Sequence, residues 1–373
     1  MRVLHVYRTY FPDPPGGMQE VIRNIALATR DHGVETRVFT LSPTPHPVEV
    51  DRPEAKVVRA RSWMAPASCD LGSLESFRLF LAQAAWADIV HFHFPWPFLD
   101  LLNLALPRGK PRLLTYHSDI VRQRFLGALY APLMRYTLRA MPRIVVGSPN
   151  YAASSKILQS CVAPEKLSII PFGLVERAAP NQNTSTILQR LNISAGGYFL
   201  ALGVLRYYKG LHTLIRAAKS IDAPVVIAGS GSEGDNLRAL AKETGATNII
   251  FAGQVSEDEK TALLGGCKAF VFPSHLRSEA FGIALVEAAM MGKPMISCEI
   301  GTGTSFVNKD GESGIVIPPE NPSLLAAAMS RLLTDNDLTT QYGAGARARY
   351  ENLFTAQKMG ASYASLYQSL IPR

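Results

Sequence analysis

A chain of 373 residues with 47% apolar and 18% charged residues is long enough for two domains of about 150 residues each, and its balance excludes a disordered chain. The opening Met1-Arg2-Val3-Leu4-His5-Val6-Tyr7-Arg8 reads as a strand rather than a signal sequence, and no apolar run reaches the ~18 residues of a membrane-spanning helix, so a cytoplasmic protein is expected. The formal charge of +8 sits almost entirely in residues 1–180, with 21 Lys+Arg against 14 Asp+Glu, which points to an anionic partner for that half.

Val3 to Tyr7, Thr36 to Leu41, Ile89 to Phe94, Arg112 to Tyr116 and Arg143 to Gly147 read as short strands separated by helical stretches, the alternation of a parallel α/β sheet. Between the first strand and first helix lies Pro14-Pro15-Gly16-Gly17-Met18-Gln19, where glycines let backbone approach a ligand at a helix start; a plain turn accounts for a Gly-Gly pair equally well. His91 and His93 alternate on one strand face, and with no third ligand identifiable they read as structural. His117 falls just past a strand end and is the better site candidate. Residues 108 to 143 hold eight basic side chains (Arg108, Lys110, Arg112, Arg122, Arg124, Arg135, Arg139, Arg143) against the single acid Asp119. With Phe94-Pro95-Trp96-Pro97-Phe98-Leu99, Tyr130 and Tyr136 nearby, this suits peripheral contact with an anionic membrane surface, the alternative being core aromatics beside a solvated basic face. No nucleic-acid-binding motif accompanies it, so no nucleic-acid partner is expected. Cys69, Cys161, Cys267 and Cys298 are scattered and suggest reduced core thiols.

The polar run Ala178 to Thr186 reads as a linker, dividing the chain into 1–178 and 186–354, with a helix at about 355–373 returning to the first domain. A second strand series follows: Tyr198 to Val204, Pro224 to Ala228, Ile249 to Ala252, Ala269 to Phe272, Met295 to Ser297 and Gly314 to Ile317. Ligands of doubly wound sheets bind at the carboxyl ends of the strands, so two such domains facing each other across a cleft would place the active site there. Leu205-Arg206-Tyr207-Tyr208-Lys209-Gly210 sets two cations at the first strand end of the second domain, where they suit a leaving diphosphate or simple solvation. Gly229-Ser230-Gly231-Ser232-Glu233-Gly234 matches G-x-G-x-x-G literally, but the next strand ends Phe251-Ala252-Gly253-Gln254-Val255 without the acid a dinucleotide ribose requires, so it reads as a glycine-rich turn.

Glu279 and Glu287 stand eight apart in Ser278-Glu279-Ala280-Phe281-Gly282-Ile283-Ala284-Leu285-Val286-Glu287, with a helix expected over Phe281 to Met291. An apolar helix leaves Glu287 in need of a partner. A nucleotide sugar fits the pair: sugar hydroxyls at Glu279, diphosphate on the first-turn N–H groups, ribose hydroxyls at Glu287. The other reading makes Glu279 a first-turn acid and Glu287 half of an internal ion pair. Asp335-Asn336-Asp337 resembles a metal-holding D-x-D, but an N-cap role for Asp337 accounts for it and no metal site is expected.

These segments together resemble the retaining glycosyltransferases of family 4, which have the GT-B fold of two Rossmann-like domains. The match rests on Glu279 to Glu287, Gly16-Gly17-Met18-Gln19, His117, Lys209-Gly210 and Asp310-Gly311-Glu312-Ser313-Gly314, and runs through nearly the whole chain. The resemblance implies an acceptor-binding first domain and a donor-binding second domain. It further implies sugar contacts from Glu279 and backbone at Phe281, Gly282 and Ile283, nucleotide contacts from Glu287 and Val255, diphosphate contacts from Lys209, and His117 near the transferred sugar. Gly16 and Gly17 would border diphosphate and acceptor. Many members carry Gly-Arg-Leu where this chain reads Gly203-Val204-Leu205, so Arg206 would have to supply that cation. Arg2 to Tyr7, Thr9 to Asp13 and Gly203 to Gly210 look more narrowly like O-antigen mannosyl- and D-rhamnosyltransferases, implying a GDP-sugar donor, a polyprenyl-diphosphate-linked saccharide acceptor and no metal cofactor. A nucleotide-sugar 2-epimerase, which shares the architecture, and a non-catalytic membrane-docking protein are the competing readings.

Overall fold

A computed structural model describes residues 1–13, 17–64, 70–120, 124–177 and 186–371, apart from the side chains of 124–129. The chain divides into two compact units, Met1–Val175 with Ala356–Arg373, and Glu176–Thr355. Residues 178–185, most of the expected linker, lie outside the described residues, as does Gly16.

In the first unit the strands are β1 (Arg2–Val6), β2 (Glu35–Ser42), β3 (Glu49–Asp51), β4 (Lys56–Met64), β5 (Leu71–Gly72), β6 (Ile89–Phe94), β7 (Arg112–Tyr116), β8 (Ile144–Val146) and β9 (Leu167–Ile169). Its helices are α1 (Gly17–Arg30), α2 (Leu74–Trp86), α3 (Pro97–Ala105), α4 (Arg124–Ala140), α5 (Pro149–Ser154) and α6 (Lys156–Cys161). The sheet runs β3-β4-β2-β1-β6-β7-β8-β9 and is parallel except for the antiparallel pairs of β4 with β3 and β5. Strand order reverses between β1 and β6, so the crevice at their carboxyl ends is the topological switch point. β4 is an addition to the expected strands: its Arg59 is buried because the guanidinium pairs with Asp13 at 3.1 Å and donates to Ser42 Oγ and Thr44 O, both at 2.8 Å. A charge at that position conceals an interior strand from hydrophobic patterning.

The second unit has β10 (Phe199–Leu202), β11 (Val225–Ala228), β12 (Ile249–Gly253), β13 (Ala269–Phe272), β14 (Met295–Cys298) and β15 (Gly314–Ile317), all parallel in the order β12-β11-β10-β13-β14-β15. This is the Rossmann order, with its switch point between β10 and β13. Unbroken apolar runs such as Val225-Val226-Ile227-Ala228, wholly buried, are what helices on both faces of a sheet require. Those helices are α7 (Thr186–Arg190), α8 (Leu211–Ala218), α9 (Gly234–Thr244), α10 (Glu257–Gly266), α11 (Ile283–Met290), α12 (Thr304–Val307), α13 (Pro322–Thr334) and α14 (Asn336–Leu353). α14 is capped by Asp335, whose carboxylate accepts the Leu338 amide at 2.9 Å; the cap is therefore Asp335 and not the expected Asp337.

α15 (Ala356–Leu370) belongs to the first unit and packs on α1, closely enough that a Cβ on Gly360 would lie 2.2 Å from the Ala28 carbonyl oxygen. It also buries Tyr363 and Tyr367.

Candidate functional site

In the second unit, three chain segments at the carboxyl ends of β10, β12 and β13 bring together the acids and their cations. After β10 the chain makes a single 3-10 turn, Tyr207–Lys209, and leaves it through Gly210 in the left-handed conformation (φ 66°). Only glycine fits there: a Cβ would lie 2.0 Å from the Pro273 carbonyl oxygen. The turn delivers Lys209 Nζ to 2.5 Å from Glu279 Oε2 and 4.7 Å from the centre of the Phe272 ring. Burial disfavours the ammonium, but Glu279, Tyr208 and Glu287 outweigh it and hold the Lys209 pKa above its ordinary value. One lysine thus feels both carboxylates of the eight-residue pair.

α11 starts two residues later than expected, at Ile283, because Gly282 is left-handed (φ 87°) and Phe281 lies in the loop before it. No side chain caps this end; the Leu285 amide donates to the Gly282 carbonyl at 2.9 Å, and the amides ahead of it have the geometry that suits an anion at a helix start. Glu287, in the second turn, lies 2.7 Å from Lys260 Nζ, which also holds Glu257 at 2.9 Å. The Glu279 and Glu287 side chains each keep 13% exposure, buried enough to need their lysines and open enough to meet a ligand. Lys260 is the functional candidate that sequence reasoning missed. It follows the capping box Ser256/Glu259 that starts α10, and no spacing signal ties it to an acid 27 residues later. Val255 is half-buried immediately before that cap.

The second cation does not join this group. Arg206 is exposed and lines a separate cavity of about 320 Å³ with His212, Arg216, Glu233 and Glu320, whereas Val204 lines the hollow that contains Lys209. The expected convergence of Arg206 with Lys209 is not seen: Arg206 keeps extended backbone (φ −120°, ψ 151°) just before the turn, and the two side chains line different hollows. The glycine-rich turn also has a packing role. A Cβ on Gly229 or Gly231 would lie 2.1 Å from the Gly203 or 2.4 Å from the Leu205 carbonyl oxygen, so these glycines let two loops touch.

In the first unit, His117 stands at the carboxyl end of β7 and is nearly buried. Its Nε2 lies 2.9 Å from His93 Nδ1, and His93 Nε2 lies 2.8 Å from His5 Nδ1. Alongside, His91 bonds Tyr367 Oη at 2.8 Å and Thr115 Oγ1 at 2.7 Å. Burial pushes His5 and His117 down to about 3, and His91 and His93 well below the usual imidazole range. His117 therefore acts as a neutral hydrogen-bonding ring. Gly17 is exposed at the first turn of α1, where Gln19 donates to Thr9 Oγ1 at 2.8 Å.

The aromatics expected beside the basic cluster divide. Phe94, Trp96 and Phe98 are core, with Trp96 Nε1 donating to the Asp70 carbonyl at 2.7 Å, while Tyr136 is 57% exposed. Lys110, Arg112 and Arg143 are partly occupied with backbone carbonyls, and Arg108, Arg135 and Arg139 are exposed. Arg122 lies outside the described residues, as does the side chain of Arg124. No described helix is long and apolar enough to cross a membrane.

Residues 15–175 match the family model "Glycosyltransferase Family 4" and residues 185–349 the model "Glycosyl transferases group 1". The chain is 45% identical to the D-rhamnosyltransferase WbpZ of Pseudomonas aeruginosa, over 95% of this chain and 93% of that protein. It is 40% identical to the O-antigen chain mannosyltransferase C of Escherichia coli, over 100% and 99%. Its backbone matches sucrose-phosphate synthase of Thermosynechococcus elongatus with a TM-score of 0.79 at 21% identity, covering 99% of this chain and 98% of that one. With its paired Rossmann-like sheets and its two lysine-held carboxylates at the strand ends, the chain belongs to glycosyltransferase family 4 and has the GT-B fold.

Proposed function

We propose that this enzyme transfers a mannosyl or D-rhamnosyl group from its GDP form to a polyprenyl-diphosphate-linked saccharide in O-antigen synthesis, with retention of configuration and without a metal. The observation that carries the reading is the pairing of Glu279 with Lys209 and of Glu287 with Lys260 around the uncapped start of α11. The names of the two relatives support the sugar class and the pathway.

In this reading Glu287 accepts hydrogen bonds from the ribose hydroxyls and Lys260 fixes its carboxylate. Val255 lies beside the base. The diphosphate sits on the amides of Gly282 and Ile283, with Phe281 and Glu279 at the sugar. His117 offers a neutral N–H or lone pair to a sugar hydroxyl, and Gly16 and Gly17 border the diphosphate and the acceptor. The acceptor hydroxyl attacks the anomeric carbon from the face that the diphosphate vacates. The bond from that carbon to the phosphate oxygen breaks, and the hydroxyl proton passes to the departing oxygen. Negative charge grows on the diphosphate, next to Lys209 and the helix start, which is where fixed charges lower the barrier most. The exposed Arg108, Arg135, Arg139 and Tyr136 support peripheral contact with an anionic inner-membrane surface, the place where such an acceptor is found.

Purified enzyme incubated with GDP-mannose or GDP-D-rhamnose and a polyprenyl-diphosphate saccharide tests the reading. An α-linked product, formed equally well after exhaustive chelation, is expected. An inverted linkage, or strict dependence on added Mg²⁺ or Mn²⁺, defeats it.

A further inference from the structure

Two clusters of three metal-binding side chains occur among the described residues, His5-His91-His93 and His212-His275-Glu320. Their chemistry differs. In the first, all three rings are fully buried and five of the six ring nitrogens bond one another, His117, Tyr367 or Thr115, leaving only His5 Nε2 without a partner. In the second, three elements each contribute one donor: His212 from the first turn of α8, His275 from the loop after β13, and Glu320 from the turn after β15. One donor atom from each lies within 4.8 Å of the other two.

His275 is the telling residue. It is 7% exposed, yet neither ring nitrogen has a hydrogen-bond partner. A buried imidazole with both nitrogens unsatisfied is costly, and native structures seldom keep one without a reason. The ring is not free to escape to solvent: Tyr207 meets it edge-on at 4.9 Å and His212 at 5.1 Å, and its own amide is fixed to the Tyr208 carbonyl at 3.0 Å. Tyr207 stacks on His212 at 5.4 Å and so orients the second ring as well. Burial favours the neutral form of both imidazoles, the form that ligates. The cavity beside them offers room, and its two cations, Arg206 and Arg216, are matched by Glu233 and Glu320. Glu320 is a non-glycine residue in the left-handed region (φ 56°), a sparsely populated conformation that turns up at ligand-holding positions.

We propose that His212, His275 and Glu320 bind one divalent transition-metal cation, with zinc as the type. Two imidazoles and a carboxylate are a zinc-class donor set that leaves a fourth position for water. Tetrahedral ligation brings donor atoms to about 3.3 Å from one another at bond lengths near 2.0 Å, inside the 4.8 Å that bounds the present separations, so the side chains draw together on binding. The site is separate from the Lys209–Glu279 pair, and the proposal does not depend on which sugar the enzyme transfers. Its effect is on stability and not on the transfer step: the metal ties the start of α8 to the loop after β13 and to the turn after β15.

The test uses the full-length protein, stripped by chelation and titrated with Zn²⁺ calorimetrically, with metal content measured after gel filtration. One zinc per chain, a raised melting temperature, and affinity weakened by more than about tenfold in His212→Ala and in Glu320→Gln are expected, since even outer-shell partners carry that much. Glu320 is exposed, so Glu320→Gln keeps the fold and remains informative where His275→Ala does not fold. Zinc that fails to bind, or that binds equally well to both variants, overturns the proposal. GDP affinity of the stripped protein is measured in parallel; its loss in the same variants would place the three residues in the nucleotide site instead, and also overturns it.

Discussion

Lowering the pH from 7.5 to 5.5 should destabilise the first unit steeply through its buried histidines. Each of His5, His91, His93 and His117 has a folded-state pKa below its unfolded value of about 6.5, so on acidification the unfolded chain takes up protons first. Their contribution to stability is complete above about pH 6.5 and is lost as the pH falls from there towards 3. For a histidine at about 3 in the folded state, the loss over this interval is about 1.4 kcal/mol, or about 5.5 kcal/mol if all four stay neutral. Asp100 works in the opposite direction. Burial raises it to about 6, so the folded unit protonates it first and recovers about 0.8 kcal/mol. The net loss of about 4–5 kcal/mol is a large part of an ordinary domain's 5–15 kcal/mol. The assay is urea unfolding followed by tryptophan fluorescence, because Trp63, Trp86 and Trp96, the chain's 3 tryptophans, all lie in this unit. With an m-value of about 2 kcal/mol/M the midpoint should fall by about 2 M. A midpoint that stays within about 0.5 M, or rises, would refute the argument that these rings are buried and neutral.

Other substitutions probe the second unit and the packing of α15. Glu287→Ala should weaken GDP binding by about 10- to 100-fold, since charged hydrogen bonds contribute about 1.5–3 kcal/mol and Lys260 keeps Glu257 as a partner. Glu279→Ala should lower turnover with a smaller change in GDP affinity, and equal small effects of both in calorimetry and kinetics would contradict the assigned roles. Lys209→Met should reduce kcat by roughly 10²- to 10³-fold, the scale of a lost transition-state donor, while Arg206→Ala changes it by less than about tenfold. A larger loss from Arg206→Ala would show that its side chain turns towards the diphosphate. Gly360→Ala should cost about 2–3 kcal/mol in thermal or urea unfolding, because the new methyl meets the Ala28 backbone and not a movable side chain.

Most of the second unit could be read in advance. Parallel strands buried on both faces are unbroken apolar runs, so β11 and β13 stand out, and the helix expected from Phe281 begins only two residues later. Other parts were hidden for physical reasons. Arg59 puts a charge inside β4 because Asp13, 46 residues earlier, neutralises it. Lys260 meets Glu287 only through the tertiary fold, and His5 meets His93 only because β1 and β6 are neighbours in the sheet. Local periodicity carries no record of such encounters. The aromatics from Phe94 to Phe98 misled in the other direction: proximity in sequence to basic residues suggested a surface, but Phe94 and Trp96 are wholly interior.

The return of α15 to the first unit bears on how a growing chain assembles. Everything needed for Glu176–Thr355 is continuous, so that body can reach its native form while synthesis is still under way. The other body cannot, because His91 on its central strand keeps only Thr115 as a partner until Tyr367 has left the ribosome. A nascent enzyme therefore completes its later-made half first and its earlier-made half last, with the side chains of β6 and β7 that Tyr363 and Tyr367 meet left uncovered until α15 docks.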